Sequence, residues 1–192
     1  MSHSIDTWTG HSKDLLPRLS KTYLEDLETV FCTLFLDGRG SGFGEDLHTI
    51  EGLGLLTPDA AVIADNVLKP GAPSFLWLLC KSGAYTTQII SLREFAMDSE
   101  DWMSVSVNRK CEAVDVPAHP FEVLQMQWES DRIRALAMGQ GVTYGQWSAH
   151  AEHMRRIFAR LSVDAAMQGG DLSPLNLCLM NLHVSPTTCF IL

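Results

Sequence analysis

A chain of 192 residues that is 46% hydrophobic and 19% charged has the make-up of a folded globular unit, not of a disordered one. At this length roughly 70% of the unfolded surface can be buried, so a core forms without disulfide or metal staples. The 14 Lys and Arg set against 23 Asp and Glu leave a formal charge of -9, which repels phosphate backbones. Arg155, Arg156 and Arg160 form the densest basic stretch and are too few to reverse that, so no nucleic-acid partner is expected.

The chain contains no unbroken apolar run of about 18 residues, so no membrane span is expected. Its first residues, Met1 to Asp14, lack the basic start and apolar centre of a secretory leader. Cysteines at 32, 80, 111, 178 and 189 form no CxxC pair and are odd in number, which reads as reduced thiols in a cytoplasmic protein.

In chain order, Ile5 to Gly10 suits a short strand, and Ser12 has the chemistry to cap a helix running through Leu15, Leu16, Leu19, Tyr23, Leu24 and Leu27 at helical spacing. Pro17 is close enough to that cap to be tolerated. Phe31 to Leu36 is a continuous apolar run ending at Asp37, as in a strand buried on both faces. Gly38, Gly40, Gly42 and Gly44 make a loop, Glu45 to Leu53 a short helix, and Pro58-Asp59 a turn. Ala60 to Ala64 reads as a second buried strand, ending at Asp65, and helix follows from about Pro73 to Cys80. Tyr85 to Ile90 and Trp102 to Val107 are expected as an antiparallel edge pair joined by an acidic connection, Glu94 to Asp101.

Two further helices, Phe121 to Met138 and Gln146 to Leu161, are joined by a Gly139 to Gly145 turn. From Leu172 to Leu192 there is no Asp, Glu, Lys or Arg and no periodicity. The expected organisation is a partial α/β domain over 1–112, a helical extension over 113–165 and a poorly ordered tail over 166–192.

Strand and helix in alternation specify an α/β sheet, which binds ligands at the carboxyl ends of its strands. Asp37 and Asp65 each end a buried strand. Adjacent strands lie about 4.8 Å apart, so the two carboxylates are placed to share one cation, with Asn66 adding a third oxygen.

The segment Ala64-Asp65-Asn66-Val67-Leu68-Lys69-Pro70-Gly71-Ala72-Pro73 resembles the catechol O-methyltransferase family, whose cation-dependent members carry a strand followed by ADNVxxPGAP. The resemblance extends back through Phe35-Leu36-Asp37 to Gly10-His11-Ser12-Lys13-Asp14-Leu15-Leu16-Pro17, and covers roughly residues 5 to 107. It implies an incomplete Rossmann-like methyltransferase sheet with an appended C-terminal helical hairpin, using S-adenosylmethionine and Mg²⁺ on a small catechol or phenol.

By this resemblance Asp37, Asp65 and Asn66 hold the metal, which grips two vicinal substrate oxygens and lowers the pKa of the attacking hydroxyl. Asp65, Asn66 and Pro70 border the substrate, and Glu94 binds its second hydroxyl. Ser12 stands next to the adenine of the cofactor, with Lys13 in place of the commoner Gln. Asp37 and Gly38 also border the cofactor.

Departures from the family pattern shape the expectation. A glycine-turn strand and a second strand ending in an acidic residue, which hold the methionine and ribose of the cofactor, belong before Ile5. Here only four residues stand there, so the chain reads as the family's C-terminal portion, with weak or no activity. The position of the catalytic lysine, three beyond Asp37, is Gly40. Arg39 is the catalytic candidate left beside it, although a guanidinium stays protonated and cannot take a proton.

A rival register takes Leu34 to Gly44 as the glycine-rich cofactor motif, with Asp65 holding the ribose. The competing class of function is a non-catalytic interaction module, a homo-oligomer through the exposed edge of a half-sheet. His150 and His153 are read as a solvated helix face rather than metal ligands. The terminal Cys189-Phe190-Ile191-Leu192 matches the prenylation form by chance.

Overall fold

A computed structural model describes residues 7–26, 30–93, 99–108, 118–163 and 189–191. It is an α/β fold around one mixed sheet. The strands are β1 (Phe31–Leu36), β2 (Leu56–Ala64), β3 (Tyr85–Arg93), β4 (Glu100–Asn108) and β5 (Cys189–Ile191), in the spatial order β3-β4-β2-β1-β5. β1 runs parallel to both β2 and β5, whereas β2–β4 and β4–β3 are antiparallel. The crossover between β1 and β2 is α2 (Phe43–Gly52). A parallel pair needs such a crossover, because a hairpin turn can only join antiparallel strands. This is the α/β sheet expected from the alternation of strand and helix.

Spacing explains each helix that flanks it. α1 (Ser12–Ser20) buries Leu15, Leu16 and Leu19, and α2 buries Phe43, Leu47 and Ile50, each set on a single helical stripe. α3 (Pro73–Lys81) opens on Pro73, whose missing N–H lies where a helix has no partner for it, and buries Phe75, Leu76 and Leu79. α4 (Phe121–Gly139) and α5 (Tyr144–Arg160) form a hairpin. Thr143 starts α5 with a reciprocal cap, its hydroxyl accepting from Gln146 N while the Gln146 side chain accepts from Thr143 N. Met126, Ala151, Met154, Ile157 and Phe158 of this hairpin lie in the same hydrophobic cluster as Leu34, Leu36, Ala64 and Trp102 of the sheet. The Trp102 and Phe158 ring centroids are 5.5 Å apart.

Several local expectations are corrected. Residues 7–10 of the expected first strand are not in a strand, and 5–6 lie outside the described residues. His11, not Ser12, occupies the cap position of α1, and beyond Ser20 the chain continues as a wider π-helical turn over Lys21–Asp26. Pro58-Asp59 do not turn the chain but lie within β2. The register jumps from Phe31↔Leu56 to Thr33↔Ala61, so both residues fall in a bulge, where Pro has no ladder hydrogen bond to lose.

Asp101, expected in a connection, is the second residue of β4, and residues 94–98 lie outside the described residues. β4 lies between β3 and β2, so β3 alone forms that edge. The opposite side of β1, expected to be an open edge for a second copy, carries β5 along Thr33–Phe35. Of the expected tail, 164–188 lie outside the described residues and Cys189–Ile191 form that added strand. No helix among the described residues is long and apolar enough to cross a membrane.

Candidate functional site at the carboxyl ends of the parallel strands

The last paired residues of the two central strands are Leu36 and Ala64. Asp37 and Asp65 therefore follow at matched positions, and the Asp65 N–H donates to the Leu36 carbonyl at 3.0 Å. Asp37 is exposed, whereas Asp65 and Asn66 are half-buried. Asn66 adopts a left-handed conformation (φ 54°, ψ 34°), one that Asn tolerates better than most residues. Its backbone N–H donates to Asp65 Oδ1 at 2.8 Å. Strand register thus sets the backbones of Asp37 and Asp65 at matching strand ends, and one left-handed residue, Asn66, follows.

The Asn66 side chain is held from the other side. Its Nδ2 donates to Asp101 Oδ2 at 3.1 Å, while Asp101 Oδ1 accepts from Lys69 N at 3.0 Å and from Trp102 N at 2.7 Å. Asp101 is only 3% exposed. Burial pushes its carboxyl up to about 6 against the opposing pull of Asn66, Trp102 and Lys69. Lys69 is likewise buried; its Nζ donates to Ser99 Oγ at 2.6 Å and stands 5.9 Å from the Trp147 ring centroid. Neither Asp101 nor Lys69 carries a role in the sequence reading. Lys69 sits inside the quoted motif, but the buried partner on β4 that organises the loop is distant in sequence.

The hairpin α4–α5 closes over this edge. The Lys69–Pro70 peptide is cis, and the Pro70 carbonyl is 2.8 Å from His150 Nε2. His150 is therefore not on a solvated face: it is 9% exposed, and burial lowers its pKa. Its position four residues before Met154 and seven before Ile157, both core residues, is the signal that points inward. His153 instead pairs with Glu129 at 3.0 Å. Gly71 has φ 111°, and a Cβ there would meet Ser130 Oγ at 2.8 Å, so only glycine lets α4 approach this closely. Asp131 of α4 accepts from Arg39 Nε at 3.1 Å and from Ser41 Oγ at 3.0 Å, and Arg134 Nη1 donates to the Gly38 carbonyl at 3.1 Å.

These contacts bear on the other expected site residues. Arg39 is turned to Asp131. Gly40 is enclosed: a Cβ there would come within 2.5 Å of the Gly71 carbonyl oxygen and 2.9 Å of the Ala72 Cβ. The position that holds a lysine in the resembling family has no room for a side chain. Of the other glycines in the rival register, Gly38 is exposed, and a Cβ there would meet only the Phe43 ring at 3.9 Å. Ser12 and Lys13 lie in the first turn of α1. Glu94 lies outside the described residues.

In kind, the donors fit a hard divalent ion: two carboxylates and an amide whose nitrogen is already engaged, leaving its oxygen. Among the described residues no three His, Cys, Asp or Glu side chains gather into a metal-binding group; the candidate set relies on Asn66 for its third member. A separate cavity of about 430 Å³ lies where β2 begins, lined by Glu51, Thr57, Pro58 and Asn108 among others, and contains none of these residues.

No family model matches the chain. Catechol O-methyltransferase of Bos taurus is 40% identical over 67 residues, which is 35% of this chain and 24% of that protein. Catechol O-methyltransferase B of Danio rerio is 32% identical over 98 residues, 51% of this chain and 36% of that protein. Among solved structures, the O-methyltransferase TomG from Streptomyces achromogenes has a TM-score of 0.42 at 21% identity, covering 52% of this chain and 47% of that one. The resemblance to catechol O-methyltransferases, stated above on the ADNVxxPGAP segment, is thus found in the relatives themselves. The matched part of the chain spans about a quarter to a third of the length of these two relatives.

Proposed function

We propose that this chain forms the cation- and substrate-binding part of an S-adenosylmethionine-dependent O-methyltransferase that methylates a hydroxyl of a small catechol or phenol. The observation that carries the reading is the matched ending of β1 and β2 at Asp37 and Asp65, with Asn66 next in the chain. Asp37, Asp65 and Asn66 would hold Mg²⁺, which when bound lowers the pKa of a ligated hydroxyl, and S-adenosylmethionine supplies the methyl group.

The chain's own residues orient and exclude. Pro70 borders the substrate, and the turn that carries it is fixed by His150 on its carbonyl. Ser12, Lys13, Asp37 and Gly38 border the cofactor, and Glu94 receives the second hydroxyl. Arg39 is engaged by Asp131, and a guanidinium is not a group that abstracts a proton.

The enclosure of Gly40 favours a second reading, a non-catalytic module that keeps the binding geometry without the base. Isothermal titration of the whole chain with S-adenosylmethionine, with and without Mg²⁺ and catechol, separates the two. Saturable micromolar binding that strengthens with metal and catechol supports the methyltransferase reading. No heat at millimolar cofactor, from protein shown to be folded, refutes it.

A further inference from the structure

We infer that Asp101 is a positioning residue for the candidate cation site: it fixes the Asn66 side chain so that the amide oxygen, not the nitrogen, is presented beside Asp65. The inference rests on the reading of Asp37, Asp65 and Asn66 as cation ligands.

An asparagine can offer a cation only its oxygen, and its two ends are nearly identical in size, so the amide must be oriented by a partner that tells them apart. A carboxylate accepts and cannot donate. Asp101 Oδ2 receives Asn66 Nδ2 at 3.1 Å, which settles which end of the amide faces β4.

Asp101 is not itself placed to ligate. Oδ1 takes two backbone N–H groups, Lys69 at 3.0 Å and Trp102 at 2.7 Å, Oδ2 takes the amide, and the residue is 3% exposed. The Lys69 N–H belongs to the same turn that follows Asn66, so one carboxylate holds both the ligand and the loop that carries it. The Trp102 N–H is the anchor at the other end: Trp102 is fully buried against Phe158, which ties Asp101 to the core of the sheet and leaves it little freedom to follow the amide. Partners of this kind, which orient a ligand without touching the ion, typically change metal affinity by about 10- to 100-fold when removed.

The test uses Mn²⁺ as a spectroscopic stand-in for Mg²⁺, with free ion counted by electron paramagnetic resonance in solutions of the whole chain. Asp101→Asn is expected to weaken Mn²⁺ binding about 10- to 100-fold. In an Asn66→Asp background the same substitution is expected to leave binding unchanged or to strengthen it. The carboxylate introduced at 66 has two equivalent oxygens and needs no orienting, and the second negative charge behind it is then a liability.

Equal weakening in both backgrounds identifies a through-space charge effect or a loss of folding and overturns the inference. Unchanged binding in the native background does the same. Absence of Mn²⁺ binding by the native chain overturns the cation reading, and this inference with it. A readout independent of any change at 101 is the Asn66 side-chain amide signal in the nitrogen NMR spectrum, assigned by its loss in Asn66→Asp. One slowly exchanging, downfield amide proton supports the inference, and ordinary free-amide behaviour overturns it.

Discussion

Gly40 is the position at which sequence and structure make the sharpest quantitative claim. Replacing it by Ala places a Cβ 2.5 Å from the Gly71 carbonyl oxygen and 2.9 Å from the Ala72 Cβ. An ordinary contact is about 3.5 Å, so one backbone segment must retreat by about 1 Å. The Gly71 side has little room to do so, because Gly71 is itself pressed against Ser130 and Met154 of the hairpin. Overpacking of this kind costs about 1–3 kcal/mol. With a urea slope of about 2 kcal/mol/M, that lowers the unfolding midpoint by about 0.5–1.5 M.

The control is Gly44→Ala in α2, where nothing lies within 4 Å of the new Cβ; there the helix gains up to about 1 kcal/mol. Gly40→Lys, which reinstates the residue type of the resembling family, is expected to destabilise at least as much as Gly40→Ala and to restore no methyl transfer. A Gly40→Ala variant as stable as the native chain, or a Gly40→Lys variant that gains activity, would refute the claim that the loop is closed on Gly71 and Ala72.

Two further outcomes test the packing of the hairpin. Trp102→Ala removes the largest fully buried side chain and is expected to cost about 3–5 kcal/mol. In a thermal melt this is a drop of roughly 10 °C at about 2–4 °C per kcal/mol, whereas Trp128→Ala, at a residue 65% exposed, should leave the melt nearly unchanged. Burial holds the His150 pKa below its usual 6.5; Glu129 and the Pro70 carbonyl pull it up, and His153 and Arg132 push it further down. The unfolded chain therefore binds this proton first, so as pH falls below about 6.5 the native state loses stability, down to the lowered native value. Urea midpoints at pH 7.5 and 5.5 should show a larger acid loss for the native chain than for His150→Gln; equal losses would place His150 outside the buried contact with Pro70.

The legible part of this protein is local. Phe31–Leu36 and Ala60–Ala64 announce buried strands because uninterrupted apolar runs of that length fit a strand covered on both faces, and the acidic residues that end them mark the carboxyl edge. The helices of the hairpin were readable to within a residue or two from 3.6-residue spacing, and the ADNVxxPGAP segment carried the family resemblance without any structure. What misled was also local: Pro58-Asp59 have turn chemistry, yet a bulge in β2 absorbs them, and Asp101 reads as loop because its acidic neighbours precede it.

Tertiary structure alone decided the rest. Whether Asp37 and Asp65 stand side by side depends on the register of two strands separated by α2, which pairs Leu36 with Ala64. That Asp101 reaches Asn66 depends on an antiparallel strand 35 positions further on. The closure of Gly40, the inward turn of His150 and the placing of Cys189–Ile191 beside β1 all arise from contacts between segments distant in the chain. Periodicity reports which face of an element is apolar. The partner that covers that face is chosen by packing, which no single segment encodes.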